Sequence, residues 1–166
     1  LRRHNDHYST RMPRQAHLSN GGVDIYFEEV NGALVIRYWG KAFKGLLTDF
    51  NFQRSIPNSD FDSIQNPGVL REQSRGWLSS PAITGHRSGK HWSTLFEVTE
   101  IESTSKKLRV SFDDKENDLE LGANFELDSF GILCVSYELK NNGAEYCLNE
   151  LNYWLPIPNQ ATQTLD

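Results

Sequence analysis

The stretch LELGANFELD, residues 119–128, carries an apolar side chain at every second position: Leu119, Leu121, Ala123, Phe125 and Leu127. A period of two lines those side chains along one face of an extended strand, whereas a helix would scatter them around its axis. Four neighbouring runs are strand candidates of the same kind: STLFEVTEIES (93–103), KLRVSFDD (107–114), ILCVSYELK (132–140) and AEYCLNELNYWL (144–155). The connectors between them are short and turn-like, at Asp113 to Asp118, Ser129 to Gly131 and Asn141-Asn142-Gly143. Successive strands joined this tightly predict antiparallel sheets stacked into a sandwich.

The first part of the chain extends the pattern. VDIYFEEV (23–30) and ALVIRYWG (33–40) flank Asn31-Gly32, a pair that tolerates the positive φ angles of a two-residue hairpin turn. Asn20-Gly21-Gly22 marks an earlier turn, after a short strand around His17 and Leu18. The fold class predicted is all-β: one large antiparallel β-sandwich. A long irregular insertion spans 41–92, with one short helix in FKGLLTDFNF (43–52). An insertion that long in a compact domain is functional or disordered, and its aromatic residues argue for function.

Composition narrows the partners. The net charge is −5, with no basic run to neutralise phosphates, which argues against nucleic acid. No apolar stretch approaches the ~20 residues of a membrane-spanning helix, and LRRHNDHYST has no apolar signal core. Cys134 and Cys147 lack metal or redox spacing and are expected to be buried free thiols, so a cytoplasmic setting is expected. The chain starts at Leu1 and closes with LPIPNQATQTLD, a Pro-bounded connector that leads the reading toward a fragment of a longer protein.

The carboxylates offer no catalytic pair. Glu28-Glu29 and Asp113-Asp114 are adjacent, point to opposite faces of their strands and are expected to be solvated. Asp60 and Asp62 lack an apolar setting that would raise a pKa for acid work. His86 and His91 have no third ligand in sight and sit beside Arg87 and Lys90, so no metal is expected. What remains is SRGWLSSPAITGHRSGKHWS (74–93), where Trp77 and Trp92 accompany Arg75, His86, Arg87 and His91. Indole faces stack on the C–H face of a sugar while such donors reach its hydroxyls. Trp77, between Gly76 and Leu78, is expected at the tip of a loop, partly exposed and near Arg75 or His86. Trp92, at the start of a strand, is expected to be mostly buried.

Four segments in order carry a family resemblance: HLSNGGVDIYFEEVNGALVIRYWGK, RGWLSSPAITGHRSGKHWSTLFEVTEIE, LELGANFELDSFGILCVSYELKNNG and LNELNYWLPIPNQATQTLD. Together, over residues 17 to 166, they resemble the N-terminal domain of bacterial α-galactosidases of glycoside hydrolase family 36. Many members carry Gly-Asp-Phe-Arg where this chain has Gly76-Trp77-Leu78-Ser79, so no contact of that aspartate or arginine transfers.

The resemblance implies a β-supersandwich over 1–154 and the start of a linker over 155–166, leading to a catalytic (β/α)8 barrel of the same polypeptide. The barrel would carry the two aspartates of a retaining mechanism, beyond Asp166. The parent would cleave terminal α-galactosides such as melibiose and raffinose without a cofactor or metal, and this segment alone would be inactive. A homo-oligomer is implied, with no nucleic acid or membrane partner. From the resemblance only the general role of the loop carries over, with Trp77 as its leading candidate, and Arg75 and His86 stand beside it as candidate substrate-binding residues from the reading of the residues themselves. Two other readings of the residues stand beside this one: an independent carbohydrate-binding module, and a purely structural assembly domain.

Overall fold

The computed structural model describes residues 14–43 and 68–153. Among these residues nine strands run antiparallel in three sheets: β1 (Gln15–Asn20), β2 (Val23–Val30) and β3 (Ala33–Lys41) form one; β5 (Glu97–Ser103), β6 (Lys107–Asp114), β7 (Leu119–Leu127) and β8 (Leu133–Asn141) form the second; β4 (Ile83–His86) pairs with β9 (Cys147–Leu151) in the third. The all-β sandwich expected from the alternation is the fold observed. Helix content among the described residues is one 3-10 turn, Gln73–Arg75. The helix expected over 43–52 and the linker over 155–166 fall, apart from Phe43, outside the described residues.

Turn chemistry sets the registers. Gly21 and Gly22 (φ 57° and 77°) close the β1–β2 hairpin, and Asn31 and Gly32 (φ 50° and 78°) close β2–β3. Both central residues are left-handed in each turn, the geometry whose twist matches the flanking strands. Ala16, Leu18, Ile25, Phe27 and Leu34 of the three-stranded sheet share one core with Leu108, Val110 and Phe112 of β6 and the five alternating residues of β7. Phe27 meets Phe125 across the layers, ring centroids 5.1 Å apart. Sheet edges are laced as well: Arg14 donates to the Val98 and Thr99 carbonyls, and Asn20 Nδ2 to the Leu127 carbonyl.

Several expectations change. The middle segment is not a single irregular loop, since β4 passes through it and pairs with β9, a contact between residues over 60 positions apart that local patterning does not reveal. β5 begins at Glu97, not at Ser93, and β9 covers only Cys147–Leu151 of the run 144–155. Cys134 and Cys147 are both exposed. On β8 the inward row is Leu133, Val135, Tyr137 and Leu139, which turns Cys134 outward. Glu28 and Glu29 are half-buried and ion-paired, with Arg37 and Arg14 respectively. Asp114 is buried and continues the inward row of Leu108, Val110 and Phe112. Its carboxylate accepts the Leu95 and Asn117 backbone N–H groups and the Asn117 amide, closing the β6–β7 turn.

Candidate functional site

The segment from Arg71 to Phe96 leaves the sandwich and returns to it, and its two ends are fastened together by a buried carboxylate. Glu72 is 3% exposed; its Oε1 accepts the Phe96 N–H at 2.8 Å and its Oε2 the Arg75 Nε at 3.0 Å. Arg75 also donates from Nη1 to the Asn31 carbonyl (2.9 Å) and from Nη2 to the Phe96 carbonyl (2.8 Å). One guanidinium thus ties the 3-10 turn to the β2–β3 hairpin and to the approach to β5. Ser74 Oγ adds a bond to the Thr94 carbonyl. Burial pushes the Glu72 carboxyl above its ordinary value, opposed by the Phe96 N–H and by Arg75.

Gly76, at φ 85°, ends the 3-10 turn in the left-handed region and delivers Trp77. The indole is half-buried. Its N–H donates to the Ser80 carbonyl at 3.0 Å, and the Arg71 guanidinium lies 4.6 Å from the ring centroid. Burial lowers the Arg71 pKa. Trp77 is therefore partly exposed, with Arg75 two residues away holding its turn. Leu78, the next residue, is 83% exposed.

β4 then carries the chain to the second half of the loop. A methyl group on Gly85 would collide with the Tyr146 ring, so only glycine lets β4 lie this close to the stretch leading into β9. Burial first, and then Asp114, raise the Tyr146 pKa. Arg87 packs 5.5 Å from the Tyr146 centroid and donates to the Asn117 carbonyl and to Asn141 Oδ1. Arg87 and Lys90 exchange backbone hydrogen bonds of 2.9 Å around Ser88 and Gly89, both left-handed at φ 48° and 74°. His86 Nδ1 accepts the Gly89 N–H at 3.2 Å, and the Trp92 N–H donates to the Gly89 carbonyl at 2.9 Å.

Trp92 is 56% exposed, against the expectation of a mostly buried residue. The cause is local: Trp92 precedes β5 by five residues and belongs to the hairpin tip, where its ring packs against His86 at 4.5 Å. Its place could have been read from Ser88-Gly89, a two-residue turn signal that sets the residues after it opposite those before it. The structure gives Trp77 and His86 different partners, Arg71 and Ser80 for one, Gly89 and Trp92 for the other. Among the described residues no three His, Cys, Asp or Glu side chains gather into a metal-binding group, and no helix is long and apolar enough to cross a membrane.

These features define a β-sandwich domain bearing a clamped, aromatic loop on its margin. The profile of the glycosyl hydrolase family 36 N-terminal domain matches residues 32–166, and the chain belongs to that family. An α-galactosidase of Escherichia coli is 28% identical over 157 residues, which is 93% of this chain and 22% of that protein. The GH36 α-galactosidase of Geobacillus stearothermophilus superposes with a TM-score of 0.65 at 18% identity, covering 84% of this chain and 24% of that one. The α-galactosidase from Lactobacillus brevis gives 0.65 at 17% identity, covering 84% and 23%. At these identities the solved structures share the fold. The chain spans less than a quarter of the length of each of these relatives.

Proposed function

We propose that this chain is the non-catalytic N-terminal domain, residues 1–154 with the start of a linker at 155–166, of an enzyme that hydrolyses terminal α-galactosides such as melibiose and raffinose. The reading rests on family membership together with one structural observation: the carboxylates that the described residues bury are engaged locally. Glu72 and Asp114 accept backbone N–H groups. Asp24 meets the Phe43 N–H and His17. A glycosidase instead needs two carboxyl groups facing a shared cleft, about 5–5.5 Å apart for retention and wider for inversion. The catalytic pair and the retaining chemistry belong, in this proposal, to a (β/α)8 barrel elsewhere in a cytoplasmic polypeptide. This domain supports that barrel, assists homo-oligomer assembly and lends loop residues to the sugar site.

Trp77 and His86 are the loop residues proposed to meet the galactoside, with Arg75 fixing the turn that carries Trp77. A solved variant of the Geobacillus stearothermophilus enzyme holds raffinose, a substrate of the proposed class. The test is hydrolysis of an aryl α-galactoside by the full polypeptide and by this chain alone. The full protein should turn over and the chain should not. Turnover by the chain, abolished on replacing one of its own Asp or Glu residues, overturns the reading. Trp77→Ala in the full enzyme should raise KM for raffinose; an unchanged KM removes Trp77 from the site.

A further inference from the structure

We propose that the β4 hairpin tip, Trp92 backed by His86, is a stacking platform for the C–H face of a galactopyranose ring. This deepens the α-galactoside reading and rests on it for the identity of the sugar. Three observations carry it. The indole is more than half exposed. Its orientation is fixed from within the tip, by the Gly89 carbonyl on the indole N–H and by the His86 ring at 4.5 Å. The backbone beneath it is held in a costly shape: Ser88 and His91 sit at φ 48° and 59°, where a residue with a Cβ is disfavoured. Arg87 secures that shape through Asn117 and Asn141.

The chemistry of the tip selects the ligand class. The indole N–H is already engaged, so the ring offers a π face and no donor. Because His86 accepts the Gly89 N–H at Nδ1, Nε2 is the ring nitrogen left to donate to a hydroxyl. Ser88, Lys90, His91 and Ser93, its neighbours in sequence, are all exposed and polar. A protein-binding centre surrounds its aromatic anchor with apolar neighbours, whereas a polyol needs one apolar face ringed by donors. Galactose supplies the complement, because its axial C4 hydroxyl leaves a continuous run of C–H groups on the opposite face. Since the tip is ordered before the ligand arrives, little conformational entropy is lost on binding.

The experiment uses the full polypeptide, with hydrolysis of melibiose and raffinose and tryptophan fluorescence titrated with melibiose and with isomaltose, its gluco counterpart. Trp92→Ala should raise KM about tenfold, the loss that one stacking contact carries, with kcat and the melting temperature unchanged. Trp92→Phe should recover most of the affinity. Phe130→Ala, which removes another exposed ring, should change nothing. Melibiose should perturb wild-type emission more than isomaltose does, and Trp92→Phe should abolish that difference. A folded Trp92→Ala enzyme with KM within twofold of wild type overturns the proposal. So does a Trp92→Ala protein that loses cooperative unfolding or its oligomeric state, since the ring would then be packing. If the full protein cleaves no α-galactoside, the proposed function fails, and the fluorescence titration still decides the platform: a melibiose response that depends on Trp92 supports it, and no such response overturns it.

Discussion

Trp77 and Trp92 lie on one excursion of the chain, yet the structure treats them differently. Trp77 is half-buried under the Arg71 guanidinium, on a turn riveted to the sandwich by Glu72 and Arg75. Trp92 stands out on a hairpin tip whose own backbone fixes its ring. The difference teaches that an aromatic in a loop is placed by the hydrogen bonds of its backbone more than by the residues flanking it. At Trp77 the fastening is to the core, so the ring shares the stability of the domain. At Trp92 the ring's own fastenings, to Gly89 and His86, lie within residues 86–92, so the ring can be altered without disturbing the rest.

The contrast is most easily broken at the clamp. Glu72→Ala or Arg75→Ala should each cost about 3 kcal/mol in urea unfolding, because each strands a buried charged partner. Arg75→Lys should not rescue, since a single ammonium does not reach the three acceptors that the guanidinium serves. If these variants unfold like wild type, the two tryptophans are not held differently. Arg87→Ala comes next, at about 2 kcal/mol, with Trp92 emission moving to the red as the tip loosens. Trp77→Ala should cost roughly 1–2 kcal/mol, from half-burial and the lost arginine contact.

A pH series sharpens the same comparison. Burial lifts the folded-state pKa of Glu72 above the ordinary carboxylate value of 4.5. Between that value and the raised one, the folded protein binds more protons than the unfolded chain, so this group's contribution to stability falls as pH rises. Asp24 runs the other way. Burial acts to raise it, but the Ser19 hydroxyl, the Phe43 N–H and His17 together hold it below its ordinary value of 3.8. Its contribution is therefore present above that value and lost as pH falls through the lowered one. Glu72→Gln should flatten the first slope and Asp24→Asn the second, both measured by chemical denaturation across pH 2–7. The smallest effect belongs to Trp92→Ala, within about 0.5 kcal/mol of wild type, as for an exposed residue.

Much of the architecture was legible before any coordinates. The strand KLRVSFDD occupies its predicted span and VDIYFEEV does too, because a period of two and an Asn-Gly pair are local signals that tertiary packing had no reason to override. Two misjudged residues were also within reach. The alternation that faces Leu133 and Val135 inward turns Cys134 outward, and the row Leu108-Val110-Phe112 leads to a buried Asp114. Arg75, three residues on, is a partner the sequence offers, but nothing around Glu72 announces its burial, because Phe96 is brought to it by the return of the chain.

β7 and β8 mark where the sequence stops determining the molecule. Both alternate strictly and both face the same core, yet the inward residues of β7 are fully buried while those of β8 are only partly so. Alternation is a property of one strand, and it decides which face each side chain takes. Depth depends on what lies across that face, on where the strand falls in its sheet, and on which distant segments return to cover it. The pairing of β4 with β9 and the fastening of Glu72 to Phe96 were decided in that way, by contacts between parts of the chain that carry no record of one another.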